Sequence, residues 1–227
     1  MNMYIIVKKH TILYKIWFYL KSNKPMTSLP NKKNLFFLTG YPRSGNSYFK
    51  NLLNYLNSKL NFCSHLHTIA SIKIALKIRI PVYVIIRQPL ESISSWSVMR
   101  CNSLSDQKKT LDYCLKEYVS YYQFLNKNRR HLQILIFDDI ITNKIDFLNL
   151  LNLPDFDINK DLYVKRLNDF QQNSFVKNKQ SKMSKSHLTK FSSTPNLDRN
   201  KEKDKFKVLL KKESDFLIAQ QLYDNLN

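Results

Sequence analysis

Three apolar runs and one short mixed stretch punctuate the chain, and helical periodicity fills the intervals between them. The first run, Leu35 to Thr39, leads into a tight loop, Gly40 to Gly45, and then a helix from about Asn46. Tyr48, Leu52, Tyr55, Leu56 and Leu60 share one face of that helix. Asn61 to His65 reads as a short second strand, and Thr68 to Lys77 repeats Ile69, Ile72 and Leu76 at helical spacing. Val82 to Ile86 is apolar at every position, the mark of a strand covered on both faces, as in parallel sheets. Pro89 suits the first turn of a helix, where its missing N–H costs little. Ser105 is the expected cap of a longer helix with Leu111, Cys114, Leu115, Tyr118, Tyr122 and Leu125 on one face. Leu132 to Phe137 is the last strand, Ile145 to Leu151 a short helix, and Phe206 to Leu226 a closing helix. No pattern resolves from Asp155 to Asn173, and 177–200, rich in Lys, Ser and Asn, reads as a mobile loop. The order β-α-β-α-β-α-α-β-α predicts an α/β fold of three layers: a doubly wound, mostly parallel sheet flanked by helices. Residues 1–33 form an N-terminal extension and 34–227 a single domain.

The chemistry concentrates after the first strand. Gly40 and Gly45 are the only two glycines in the chain, and both sit in this loop. A strand–Gly-loop–helix unit aims backbone N–H groups and the positive end of a helix dipole at one spot, which suits a phosphate. Gly40 to Ser47 has the Walker spacing G-x-x-x-x-G-K-[ST], so the fold is P-loop-like, but Asn46 stands in the lysine slot. Nucleotide triphosphatases use that lysine on the β- and γ-phosphates. Here the charge within the loop is Arg43, which fits phosphate holding better than ATP or GTP hydrolysis.

The segment Thr39-Gly40-Tyr41-Pro42-Arg43-Ser44-Gly45-Asn46-Ser47-Tyr48 resembles the 5′-phosphosulfate loop of sulfotransferases, roughly T-Y-P-[KR]-S-G-T-T-W. Those enzymes use 3′-phosphoadenosine 5′-phosphosulfate (PAPS) as sulfuryl donor. A second motif, Arg87-Gln88-Pro89-Leu90-Glu91 through Ser95, is similar to the family's R-[ND]-P-x-[DE]-x-x-x-S, with Gln88 the departure. The resemblance implies that Arg87 and Ser95 hold the donor's 3′-phosphate. Arg87 ends a strand, where parallel sheets bind ligands, and its planar fork can grip two phosphate oxygens. It further implies that Arg43, Ser44, Gly45, Asn46 and Ser47 hold the 5′-phosphosulfate, with Tyr48 at the place of a stacking aromatic.

A base is needed to take the acceptor's proton, and histidine suits that role. Many sulfotransferases carry a K-T-H element at the end of the second strand. In the cytosolic subgroup its histidine precedes the phosphate arginine by 22 residues, as His65 precedes Arg87 here. His65 is therefore the expected base and His67 the reserve, with strand alternation placing both on one side. Cys63 occupies the position of the family lysine, which leaves Arg43 to meet the departing phosphate. Leu135 to Ile140 resembles the family's Y-E-D-[LM] element, and Asn173-Ser174-Phe175 its S-F element. The family's R-K-G ending is missing, and Lys185, Lys190 and Arg199 are the candidates to supply its charge. The scheme requires no metal.

The net charge of +20 admits nucleic acid, an anionic membrane or an acidic acceptor such as a glycan. Lysines are spread along the chain without a dense basic block interleaved with aromatics, which disfavours a nucleic-acid groove. Three cysteines without metal spacing read as buried thiols of a reducing, cytoplasmic compartment. The N-terminal segment is amphipathic, interrupted by Lys8, Lys9, His10 and Lys15; it is expected to pack on its own domain, with peripheral membrane contact as the alternative. The function expected is sulfuryl transfer from PAPS to a hydroxyl or amine of an acceptor, a glycan or small molecule. The competing readings are a P-loop nucleotide kinase or hydrolase and a non-catalytic basic binding module.

Overall fold

The computed structural model describes residues 6–21, 28–57, 59–101, 103–142 and 197–227. Its centre is the doubly covered apolar run, which becomes a strand flanked on both sides. Strands β1 (Phe37–Gly40), β2 (Cys63–Ser64), β3 (Val82–Ile86) and β4 (Gln133–Ile136) form one sheet in the order β2-β1-β3-β4. Every pairing is parallel, and Gly40 lies opposite Ile85. The chain leaves β1 toward one edge to make β2 and then crosses to the other side to make β3. The crevice beyond the ends of β1 and β3 is thus the topological switch point, where open α/β sheets bind ligands.

Alternation along the strands builds two cores. Phe37, Val82, Val84 and Ile86 face one layer, and Phe36, Leu38, Tyr83, Ile85 and Leu135 face the other. Helix α1 (Thr11–Lys21), α2 (Asn46–Leu56), α3 (Ile69–Lys77), α4 (Pro89–Arg100), α5 (Gln107–Lys127), α6 (Phe137–Ile141), α7 (Leu197–Leu210) and α8 (Ser214–Asp224) supply the outer layers. On the smaller side Phe49, Leu52 and Leu53 of α2 meet Ile140 of α6. On the larger side α3, α4 and α5 carry most of the core, closed by Phe206 and Leu210 of α7 and Tyr223 of α8. Thr68 caps α3 by accepting from the Ser71 N–H at 3.1 Å. Pro89 sits in the first turn of α4, as its missing donor allows.

Several boundaries differ from the sequence reading. The second strand stops at Ser64, because His65 takes a left-handed backbone (φ 65°) that no strand can continue. The last strand ends at Ile136, and Phe137 opens the short α6. Ser105 does not cap α5: a 3-10 turn over Leu104–Asp106 precedes it. The closing helix is two helices, α7 and α8. Residues 197–200, expected in the loop, already belong to α7, while the rest of that loop, the 145–151 helix and the Asn173-Ser174-Phe175 echo lie outside the described residues. The N-terminal extension packs on the domain through Tyr14 and Phe18 of α1. Cys63 and Cys114 are buried and Cys101 is half-buried. Among the described residues no helix is long and apolar enough to cross a membrane.

Leu52 is fully enclosed between α2 and the sheet. Leu52→Ala should destabilise the fold by about 2–5 kcal/mol, read as a lower urea midpoint at unchanged slope.

Candidate functional site

The loop after β1 is braced from within. The Ser44 N–H donates to the Tyr41 carbonyl (3.1 Å), and the Asn46 side-chain amide donates to the same oxygen (3.1 Å). Tyr41 is buried, and its hydroxyl donates to the Cys114 carbonyl of α5 (2.7 Å). Packing accounts for both glycines. A Cβ on Gly40 would collide with the Ile85 carbonyl of β3 and crowd the Asn46 amide. Gly45 has φ 95°, and a Cβ there would strike the Phe137 ring. Gly45 also caps α2 without a side chain, so the first-turn N–H groups of the helix lack a side-chain partner of their own cap. No acidic residue occupies that first turn. The result is an N-terminus electrostatically suited to an anion.

Three guanidiniums converge beside this loop. Arg43, itself left-handed at φ 71°, donates from Nε to Ser95 Oγ at 3.1 Å. Arg199 donates from Nη2 to the same Oγ at 3.0 Å and to the Ser95 carbonyl at 3.1 Å. Arg87 donates from Nη1 to the Arg43 carbonyl at 3.2 Å and lies over the Phe137 ring, 4.4 Å from its centroid. The Tyr118 and Tyr122 hydroxyls donate to the Arg87 carbonyl at 3.0 and 3.2 Å, fixing the strand end. Arg87 Nε is buried with no hydrogen-bond partner. Glu91 is the nearby carboxylate, at 4.0 Å from Arg87, but it is held at 2.6 Å by each of Lys203 and Lys207 from α7.

The electrostatics follow. Burial, then the charges of Arg199 and Arg87, push Arg43 down to about 9. Burial and Arg87 push Arg199 down to about 10. Burial also lowers Arg87, partly offset by Glu91 and Asp138. Burial is the leading cause in each case, and an anion among the three would add countercharge and hydrogen-bond acceptors in place of the lost water.

The cavity at this point encloses about 220 Å³ and is lined by Pro42, Arg43, Gly45, Asn46, Ser47, Tyr48, His67, Arg87 and Met99. Six of the nine residues nominated from sequence therefore meet on one cavity. Ser44 is fully buried, and Ser95 stands behind Arg43 and Arg199. His65 lines a neighbouring cavity of about 530 Å³ with Lys50, Asn54, Asn61 and Ser64, and its Nε2 lies 3.1 Å from Ser47 Oγ. Ser47 lines the first cavity and His65 the second, and this contact joins the two linings. Strand alternation does not relate His65 to His67, since the strand has ended, yet their rings are 6.0 Å apart. His67 donates from Nδ1 to the Gly40 carbonyl (2.8 Å), which assigns its neutral ring a lone pair on Nε2. Tyr48 packs edge-on against Phe49 and Phe137. Among the described residues no cluster of His, Cys, Asp or Glu could hold a metal ion.

Of Lys185, Lys190 and Arg199, Arg199 is at the site, and Lys185 and Lys190 lie outside the described residues. Phe137, Tyr118 and Tyr122 support Arg87 without a local signal in the sequence. The signal for Arg199 was indirect: Lys203 and Lys207 follow it at helical spacing and match Glu91 in charge.

No family model matches the chain, and no curated protein sequence does. Among solved structures, the crystal structure of mouse sulfotransferase SULT7A1 complexed with PAP is similar at 14% identity and a TM-score of 0.48, over 87% of this chain and 90% of that one.

Glu91 ties α7 to α4. Burial alone would raise its carboxyl, but hydrogen bonds from Lys203 and Lys207 overturn this and hold it at about 2 instead of 4.5. Its contribution is therefore present above pH 4.5 and lost as pH falls through 2. Acid titration followed by circular dichroism should show wild-type stability falling across that window, and Glu91→Gln should be less stable at neutral pH with a flatter acid limb.

Proposed function

We propose that this chain is a sulfotransferase that moves a sulfuryl group from PAPS to a hydroxyl or amine of an acceptor. The observation that carries the reading is the convergence of one helix N-terminus and three largely desolvated guanidiniums at the switch point, where Arg43 and Arg87 line one cavity and Arg199 shares Ser95 with Arg43. Asn46 strengthens it: the Walker lysine slot holds a buried amide committed to the Tyr41 carbonyl, not a cation for a triphosphate.

The donor carries anionic groups at both ends of an adenosine, and the site offers two cationic grips. Arg43 and the first-turn N–H groups of α2 take the 5′-phosphosulfate, with Ser47 adding its hydroxyl. Ser44 and Asn46 act by bracing the loop. Arg87 and Ser95, completed by Arg199, take the 3′-phosphate. The buried, unpartnered Arg87 Nε fits such an oxygen acceptor. Tyr48 offers an aromatic face near the loop.

The donor supplies the sulfuryl group and a phosphate leaving group. The acceptor enters from the cavity beyond His65. His65 takes the acceptor's proton as the new bond to sulfur forms and the bond from sulfur to the phosphate oxygen breaks. Arg43 and the helix terminus hold the charge released on that oxygen, so positioning and electrostatics dominate, as in loose phosphoryl transfer. His67, its tautomer set by the Gly40 carbonyl, lines the donor cavity beside this step.

Calorimetry with adenosine 3′,5′-bisphosphate, AMP and ATP tests the donor assignment. The bisphosphate should bind tightest, and Arg87→Ala should weaken it by about 10- to 100-fold while barely changing AMP, the loss expected for a charged hydrogen bond. Equal affinities, or magnesium-dependent ATP turnover, would point to the kinase or hydrolase reading instead. For the base, His65→Ala should abolish sulfuryl transfer with bisphosphate affinity retained; normal turnover in that variant would transfer the role elsewhere.

A further inference from the structure

The lysines are distributed along the chain, but the carboxylates are not. Fourteen Lys and Arg residues precede Glu91, and not one Asp or Glu does. Most of the +20 charge therefore belongs to the N-terminal segment, the first strands and α3. That same region carries an unusual helix. The inner face of α1 is packed, with Tyr14 and Phe18 buried in the main core and Trp17 against it. Its outer face is apolar too. Ile12, Leu13, Ile16, Tyr19 and Leu20 fall within one arc, on the side opposite Tyr14 and Phe18, and all are exposed: Ile12 by 72%, Tyr19 by 73% and Leu20 by 69%.

The helix does not hang loosely. Just before it, the Lys8 carbonyl accepts from the Ala70 N–H of α3 at 2.8 Å, and Lys8 Nζ pairs with Glu117 of α5 at 3.0 Å. Lys73 donates to the Lys9 carbonyl at 3.1 Å. These ties hold the outer stripe pointing away from the domain. Exposed Lys15 borders it on α1, exposed Lys73 and Lys77 belong to α3, the helix against which α1 packs, and exposed Arg79 follows that helix. Isolated apolar residues on a surface are ordinary, but five on one helical face, set among cations and without a carboxylate on either helix, match a surface that is apolar below and anionic above.

We propose that the outer face of α1 is a docking surface for an anionic lipid bilayer. Ile12, Ile16, Tyr19 and Leu20 enter the boundary between headgroups and acyl chains, and Lys15, Lys77 and Arg79 meet the lipid phosphates. The helix lies in the plane of the interface and does not span it. This surface is separate from the proposed nucleotide cavity, none of whose lining residues belongs to α1 or α3.

Vesicle flotation of the full-length chain tests the assignment. The protein should float with phosphatidylcholine vesicles containing phosphatidylserine, and much less with phosphatidylcholine alone or at high salt. Ile12→Glu/Ile16→Glu should reduce the bound fraction by at least about tenfold, because it places charge in the apolar layer. The thermal midpoint and the affinity for adenosine 3′,5′-bisphosphate should be unchanged in that variant. Flotation with neither vesicle, or undiminished flotation of the variant, overturns the proposal. So does a wild-type dimer in sedimentation that the same substitutions render monomeric, since that result gives the face to a second copy of the chain.

Discussion

Three cations gathered at one strand end, two of them sharing a single serine hydroxyl, is an arrangement that a folded chain does not adopt for stability. Arg43, Arg87 and Arg199 repel one another, each is largely removed from water, and Glu91, the carboxylate that reaches Arg87 at 4.0 Å, is shared with two lysines. Such a cluster lowers the stability of the protein that contains it and raises its affinity for whatever brings negative charge. Much of the surrounding architecture holds the cluster in place. Two stacked tyrosines of α5, 3.9 Å apart, fasten the backbone at Arg87. The Glu91 pairs bring α7 onto α4 and with it Arg199. The ring of Phe137 covers one side of Arg87 and leaves no room for a side chain at Gly45.

What was legible in the sequence is what depends on local pattern. Val82 to Ile86 announced a central strand because burial on both faces leaves no polar position. The loop and Arg87 could be read because both follow strands that are apolar enough to recognise. Strand ends were harder. His65 lies in a left-handed conformation that neither hydropathy nor spacing encodes, so the pairing of two histidines by alternation failed although the rings are neighbours. The glycines were located correctly, yet their physical role is partly different. Gly40 is demanded by the approach of β3 and Gly45 by Phe137, a residue more than ninety positions away. Long-range contacts of that kind leave no mark in the local sequence.

Arg199 illustrates the same limit from the other side. It arrives at Ser95 because α7 docks on α4, and α7 is so rich in lysine that its apolar face is only weakly drawn. A reader of the sequence sees one cation among many. The discriminating fact is tertiary: of the cations on α7, Lys203 and Lys207 go to Glu91, whereas Arg199 goes to the serine that Arg43 also reaches.

The bracing of the loop by Asn46 and Tyr41 bears on kinetics. A loop stapled to its own helix and to the Cys114 carbonyl of α5 has little room to open or shut around a visitor. The parts left to rearrange are side chains, which reorient in picoseconds to nanoseconds. Encounter, rather than a gating motion, then becomes the slow event of capture. For the multiply charged donor proposed above, so positive a chain should bring the association rate toward the diffusional ceiling, with a steep fall as ionic strength rises.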